Sequence, residues 1–161
     1  MKKLLYLCIV KEKNNETNKN KSMKTKLKVT ELSHDELVDL LSVALTGSNW
    51  ACANYDHEIY DTLTNTIGEC WEDKMADILL AGHKITIKDY EADDVSYSDK
   101  CVGFHTESGA AIYEICLDDI LEVASTKEGY ELINEVLSGE GDFYTADAFL
   151  QRVVFGEEVY G

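Results

Sequence analysis

The stretch that decides the fold begins with Lys84-Ile-Thr-Ile-Lys-Asp-Tyr90 and continues to Leu117. Apolar and polar residues alternate in its first part, and this period of two predicts a strand with one buried face that ends near Tyr90. Two further β-type runs follow, Cys101-Val-Gly-Phe-His105 and Ala110-Ala-Ile-Tyr-Glu-Ile-Cys-Leu117. The short polar connection Thr106-Glu-Ser-Gly109 joins them, and its glycine suits a tight turn. The spacing therefore predicts a hairpin.

The second arm of this hairpin is apolar at nearly every position, with only Glu114 polar. Such a run is typical of a strand that is covered on both faces and does not lie at a sheet edge. Because the flanking sequence has helical periodicity, we expect helices to pack against the sheet. The predicted fold class is α+β, a small antiparallel sheet of about three strands packed by about five helices.

Two helices are predicted before the sheet from apolar residues spaced three and four apart. The first begins at a capping box, with Ser33 as N-cap and Glu36 reaching back, and ends at Gly47 as a left-handed C-cap. The second covers Glu69 to Ala81, with Trp71 among its inward residues. Trp50 to Thr66, between them, is expected to form a loop followed by a short helix, and a short strand is expected at Lys26 to Val29.

Three helices are predicted after the sheet. Asp118 is the expected N-cap of a short one, and a longer one runs from about Glu128 to Ser138. The last covers about Phe143 to Phe155, with Asp142 or Thr145 as its N-cap and Gly156 as its end. Among the aromatic residues, Trp71 and Phe149 are expected in the core, and a second group is expected to be partly exposed: Tyr55, Tyr97, Tyr144 and Tyr160.

The length of 161 residues fits one domain that folds without disulfides or metal. The five cysteines, Cys8, Cys52, Cys70, Cys101 and Cys116, are odd in number and never form a C-x-x-C pair. A disulfide framework or a zinc cage is therefore disfavoured, and the pattern indicates a reduced, cytoplasmic protein whose cysteines are buried as small apolar residues. No cofactor is predicted.

The first 22 residues resemble a signal peptide in part, because two lysines precede the apolar run Leu4 to Val10. That run lacks a small-residue cleavage site and is too short to span a bilayer. We therefore interpret residues 1–22 as a disordered leader or a mis-assigned start, with Met23 as the natural beginning. Residues 23–161 are then a single acidic domain, with no membrane segment expected.

The charge is the most informative property of the composition. Of the whole chain's 15 basic and 31 acidic residues, residues 23–161 hold nine and 29, a formal net charge of −20. The acids are distributed over every predicted helix and do not form a tail, so the folded surface itself is negative. Direct binding of nucleic acid is disfavoured because phosphates would be repelled, whereas a basic protein surface is a favoured partner.

Two acidic groups are the candidate partner-binding residues. Glu128, Glu131 and Glu135 form an outward row at helical spacing, and their separation of roughly 5 Å along the axis is comparable with the phosphate repeat of a nucleic-acid strand. The loop between the first strand and the hairpin contributes Asp89, Glu91, Asp93, Asp94 and Asp99. One hypothesis is that the protein occupies a basic nucleic-acid channel on another protein. The alternative is an acidic domain without mimicry.

No catalytic or metal motif stands out. The run Asp89 to Lys100 places oxygens at positions 1, 3 and 5 of a calcium loop, but Asp94 replaces the required glycine and Lys100 the required glutamate. Cys101 and His105 lie roughly 13 Å apart along a strand and cannot share a proton. A small enzyme remains the alternative class, in which a cysteine or one of His34, His57, His83 and His105 converges with carboxylates across the fold.

Several segments carry a resemblance. They are Leu32-Ser-His-Asp-Glu-Leu-Val-Asp-Leu-Leu-Ser42, Cys116-Leu-Asp-Asp-Ile120, Gly141-Asp-Phe-Tyr-Thr-Ala-Asp-Ala-Phe-Leu150 and the ending Phe155-Gly-Glu-Glu-Val-Tyr-Gly161. Together they resemble a family of small acidic proteins carried by phages and conjugative elements of gut bacteria. The resemblance brings no catalytic residues. It implies a non-enzymatic accessory protein of a mobile genetic element, the setting in which acidic inhibitors of restriction or CRISPR nucleases occur, and that last step is analogy.

Overall fold

The computed structural model describes residues 29–92 and 96–161, and the chain in these ranges forms six helices and four strands. In chain order they are α1 (His34–Gly47), β1 (Ala51–Asn54), α2 (His57–Tyr60), α3 (Trp71–Leu80), β2 (Ile85–Asp89), β3 (Cys101–Phe104), β4 (Ala111–Ile115), α4 (Leu117–Ala124), α5 (Lys127–Ser138) and α6 (Phe143–Phe155). The α+β fold, a small antiparallel sheet packed by helices, is confirmed, with one strand that was not expected.

The strands form one antiparallel sheet in the order β1-β2-β4-β3. The predicted strand before Tyr90 and the predicted hairpin are both confirmed, and β4 lies inside the sheet. The expectation that β4 is covered on both faces is wrong. Ala111, Tyr113 and Ile115 are buried, whereas Ile112 and Glu114 on the other face are only partly buried. The helices therefore cover one face of the sheet.

Strand β1 was not predicted, because its sequence Ala-Cys-Ala-Asn has no large apolar residue to mark the alternation. It pairs with β2, and Ala53 lies opposite Ile87. The short helix α2 that follows agrees with the prediction. Tyr55 was expected to be partly exposed, and this prediction is wrong. It is only 6% exposed, because its ring packs against those of His57 and Tyr60.

The capping box of α1 is confirmed. The N–H of Glu36 donates to Ser33 Oγ at 3.3 Å, and the N–H of Ser33 donates to Glu36 Oε2 at 2.8 Å. The prediction of Gly47 as a left-handed C-cap is wrong, because Gly47 is the last helical residue and the extended Ser48 follows it. Gly47 instead allows α6 to approach, since a Cβ there would lie 2.4 Å from Phe143 Cβ.

Other helix ends differ from prediction by one or two residues. Helix α3 begins at Trp71, whose side chain projects beyond the buried stripe and is 37% exposed, so its predicted place in the core is wrong. Cys116, not Asp118, precedes α4, and its N–H donates to Asp119 Oδ2 at 2.8 Å. Thr126 caps α5. Helix α6 has its predicted bounds, with Asp142 as N-cap and a left-handed Gly156 at its end.

The C-terminal tail, residues 157–161, is fastened to α6 by the buried side chain of Gln151. The Gln151 Oε1 atom accepts the N–H groups of Val159 at 2.8 Å and Tyr160 at 2.7 Å. Its Nε2 atom donates to Asp147 Oδ2 at 2.7 Å and to the Tyr160 carbonyl at 2.9 Å. The tail therefore closes one side of the single core, where the Tyr160 and Trp50 ring centroids lie 5.5 Å apart.

Three expectations lie wholly or partly outside the described residues. They are the leader at residues 1–22, the strand at Lys26 to Val29 apart from Val29 itself, and the loop residues Asp93 and Asp94. In the two described ranges, none of the helices combines the length with the apolar character needed to cross a membrane.

Candidate partner-binding surface

Helix α5 presents the predicted carboxylates to solvent. Ile133 and Val136 face the core, and Glu128, Glu131 and Glu135 on the opposite side are all exposed. We refer to these three residues as the α5 carboxylate row. The first and last of them lie seven positions apart, which corresponds to roughly 10 Å along the helix axis. The amphipathic pattern of α5 therefore fixes the direction in which all three charges point.

Cations offset little of this charge. Lys127 Nζ lies 3.9 Å from Glu131 Oε1, and both side chains are more than half exposed. An ion pair of this kind is weak because water screens it. Glu128 and Glu135 form no ion pair with any residue in the described ranges. The row is thus an anionic surface whose charge is offset, among the described residues, only by the weak contact of Lys127.

The N-terminal end of the row borders an open depression of about 280 Å³ between α4, α5 and α6. Glu122, Glu128 and Thr126 line it together with Lys100, Asp119, Val123, Arg152 and Gly156. Glu122 extends the anionic surface from α5 onto α4. The sequence pattern did not single it out, because a glutamate on the outer face of a short amphipathic helix resembles any solvated residue.

The two cations of the depression are already engaged. Lys100 Nζ donates to the Val153 carbonyl and lies 3.4 Å from Asp119 Oδ1. Arg152 binds Glu158 at 2.8 Å. Burial alone would raise the pKa of Asp119, but hydrogen bonds from the Cys116 N–H and thiol, with the ammonium of Lys100, hold that pKa below its usual value. The depression therefore offers an incoming anion no unpaired cation among its lining residues.

The predicted loop contributes less than expected. Glu91 and Asp99 are exposed and can contact a partner, whereas Asp93 and Asp94 lie outside the described residues. Asp89 was predicted to contact a partner and is fully buried, so this prediction is wrong. Its Oδ2 accepts the Tyr160 hydroxyl at 2.9 Å and its Oδ1 accepts the Glu91 N–H at 3.0 Å. Burial raises its pKa despite these bonds.

Several other carboxylates have structural work that accounts for their presence. Asp56, Asp142 and Glu36 bond backbone N–H groups at the starts of their helices. Asp73 accepts the N–H of Cys70 at 2.9 Å, and this bond lowers its pKa. Such positions are favoured for any acidic residue because the helix dipole is positive there. Glu122, Glu128 and Glu135 make no comparable bond to another described residue, so their charge serves no visible purpose in the fold.

The four cysteines in the described part of the chain are not the buried apolar residues that we predicted. Cys52 and Cys70 are exposed, and Cys101 and Cys116 are partly exposed. The Asp73 N–H would lower the pKa of the Cys70 thiol, but the carboxylates of Asp73 and Glu72 outweigh it and the pKa is raised. Cys70 is therefore poorly suited to act as a nucleophile.

One histidine does meet a carboxylate across the fold. His34 Nε2 lies 3.4 Å from Asp77 Oδ1 and 3.3 Å from the Asp73 carbonyl, beside a second open depression of about 280 Å³. Asp77 Oδ2 also accepts the N–H groups of Ile67 and Gly68, at 3.0 and 3.1 Å. The pair therefore anchors the segment before α3. Within residues 29–92 and 96–161, no three His, Cys, Asp or Glu side chains are placed to hold a metal ion.

Comparison of the chain with protein-family models, with curated proteins and with solved structures gave no match in any of the three.

Proposed function

We propose that this is a non-enzymatic acidic accessory protein that binds a basic surface on a nucleic-acid-binding protein. The α5 carboxylate row carries the contact, with Glu122 at one end and the exposed Glu91 and Asp99 as further anionic residues. In this role the row stands in for a run of phosphates. The observation that carries the proposal is the one-sided display of three exposed glutamates along a single helix, of which only Glu131 has an ion-pair partner among the described residues.

Two physical arguments support this role. The described residues hold 27 carboxylates and six Lys or Arg side chains, an imbalance that costs stability through self-repulsion. A surplus that neither caps helices nor forms ion pairs is readily explained if a basic partner offsets it on binding. In addition, the backbone of a helix holds its charged residues at fixed spacing, so little backbone conformational entropy is lost when a partner binds them.

From the resemblance noted in the sequence, we further propose that this is an accessory protein of a mobile genetic element. There, a mimic of nucleic acid would occupy the channel of a host defence nuclease and act as an inhibitor of the anti-restriction or anti-CRISPR type. This setting rests on the resemblance and on the charge. An anionic protein that occupies the nucleic-acid channel of a nuclease excludes the nucleic-acid substrate from that channel.

The test is binding from a bacterial lysate to the immobilised protein at about 50 mM salt, followed by elution at about 200 mM salt. We expect enrichment of nucleic-acid-binding proteins, elution across this range, and displacement by added duplex DNA. The combined variant Glu128→Gln, Glu131→Gln and Glu135→Gln should weaken binding to the purified partner about tenfold, because the charges that face it are removed.

The matched control is the combined variant Asp39→Asn, Glu58→Gln and Asp61→Asn. These three residues are also exposed and lie on α1 and around α2, so the change in net charge is the same. The control should bind like the unmodified protein. Equal loss in both variants would show that only total charge matters and would refute a binding face on α5, as would a lysate that yields no nucleic-acid-binding protein.

A further inference from the structure

Within residues 29–92 and 96–161, strand β3 lies at an edge of the sheet that no other strand covers. It pairs with β4 on one side, and no described strand lies on its other side. Val102 is 58% exposed and Phe104 is 41% exposed. An open edge strand with large apolar residues exposes apolar side chains together with unpaired backbone N–H and C=O groups. Natural proteins usually protect such an edge with lysine or proline. Residues 101–104 contain neither, and their one protective device is a bulge between Cys101 and Gly103.

The backbone N–H and C=O groups of Phe104 face away from β4, toward the open side of the strand. The N–H of the next residue, His105, donates to the Ala110 carbonyl at 2.8 Å, toward β4. Because backbone groups alternate in direction along an antiparallel strand, the N–H and C=O of Phe104 face away from the sheet. This side of β3 can therefore pair with an added strand, and the exposed side chains would flank that strand.

The opposite edge of the sheet lacks these features. Strand β1 has only small or polar side chains, and its exposed residues are Cys52 and Asn54. It offers an added strand little apolar surface to cover. Strand addition is favoured by the apolar area that the new strand removes from water. The β3 edge offers such area and the β1 edge offers little.

The charges at the ends of β3 indicate the kind of strand that fits. The exposed Asp99 and Glu107 lie just before and just beyond the strand, and the nearby Lys100 is held by the Val153 carbonyl and Asp119. We propose that β3 binds an extended segment of a partner protein in which lysine or arginine flanks apolar residues, by adding it as a fifth, antiparallel strand. A second copy of this chain fits poorly, because it would bring the same carboxylates together. This site is separate from the α5 carboxylate row and does not depend on it.

The experiment uses the full chain, labelled with ¹⁵N, and a blocked seven-residue peptide of alternating lysine and valine. We expect the amide resonances of Val102 to His105 to shift and hydrogen exchange at the Phe104 amide to slow at least about tenfold, as a new hydrogen bond requires. A peptide of the same sequence with alternate N-methyl groups is the matched control. It keeps the charge and side chains but cannot pair its backbone, so it should shift nothing.

Variants complete the test. Phe104→Lys keeps the strand and places a cation at its edge, so it should abolish the peptide-induced shifts. The combined variant of Glu128, Glu131 and Glu135 to glutamine should leave them unchanged, which separates this proposal from the role of α5. The inference is overturned if the N-methylated peptide binds equally, if the shifts map to α5 or β1, or if the protein alone dimerises through β3 in sedimentation experiments.

Discussion

The hydrogen bonds by which Gln151 holds the C-terminal tail, here called the Gln151 clamp, give the sharpest prediction for stability. The Gln151 side chain is buried on α6 and forms four hydrogen bonds, two of them to backbone N–H groups of the C-terminal tail. Replacing Gln151 with alanine removes all four and leaves Asp147 with its bond from Trp50 Nε1. We expect the tail to detach from the core and the free energy of unfolding to fall.

The size of the effect follows from two opposing contributions. Four net hydrogen bonds contribute about 4 kcal/mol, at about 1 kcal/mol each. Alanine has no long side chain to order on folding, so the variant avoids a conformational-entropy cost of roughly 1.5 kcal/mol. The expected loss is therefore about 2–3 kcal/mol. Gln151→Glu keeps the shape and both acceptor bonds but sets a second carboxylate 2.7 Å from Asp147, so it should also destabilise at neutral pH and recover as acid protonates it.

The assay is urea unfolding followed by the fluorescence of Trp50, whose ring packs against Tyr160 and Phe155. A Trp71→Phe background removes the second, partly exposed tryptophan from the signal. The reasoning is refuted if Gln151→Ala loses less than about 1 kcal/mol, or if Gln151→Glu is as stable as the unmodified protein at pH 7. Either outcome would mean that water forms equivalent hydrogen bonds in place of Gln151 without lowering the free energy of unfolding.

Three further predictions concern charge and close packing. Burial raises the pKa of Asp89 in the folded state, so the native state binds this proton more tightly than the unfolded chain does. The folded state therefore loses stability as the pH rises through the folded-state pKa and the buried carboxyl ionises. Asp89→Asn should therefore be less destabilising at pH 7 than at pH 4 when unfolding is measured at both, and an equal effect would contradict this. Gly129→Ala should cost about 1–3 kcal/mol in thermal or urea unfolding, because the new Cβ would lie 2.1 Å from the backbone oxygen of Val123, which cannot move aside as a side chain would. Raising NaCl from about 10 to 150 mM shortens the Debye length from roughly 30 to 8 Å, so the urea midpoint should rise, and less so in the variant that neutralises the α5 carboxylate row. A midpoint that falls or stays constant would show that self-repulsion is unimportant.

Sequence patterns predicted those elements whose ends carry their own chemistry. The bounds of α6 follow from Asp142, a side chain that bonds the first turn, and from Gly156, which adopts a positive φ. The capping box of α1 was likewise readable. Strand β1 was missed because small residues can pair with β2 without any periodic apolar signal, and only the tertiary neighbour makes them a strand.

The candidate surface was predictable to the same extent as its helix. The periodicity of α5 placed Glu128, Glu131 and Glu135 outward, and the structure agrees. Asp89 was mistaken for a surface residue because its neighbours in sequence are polar, whereas its burial depends on Tyr160, 71 residues away. The exposure of Cys52 and Cys70 depends in the same way on where an edge strand and a helix start lie in the assembled fold.

The packing of α1 against α6 has a consequence for how the protein is made. The two helices are separated by about 100 residues, which a ribosome adds in roughly 5–20 s at typical rates of synthesis. Throughout that interval the side of α1 that packs against α6 lacks this partner and can contact only elements made earlier, such as α3, while the β3–β4 hairpin can already close locally. The nascent chain must wait for α6 before the core can close, and the like charges that it carries help to keep unfinished copies apart.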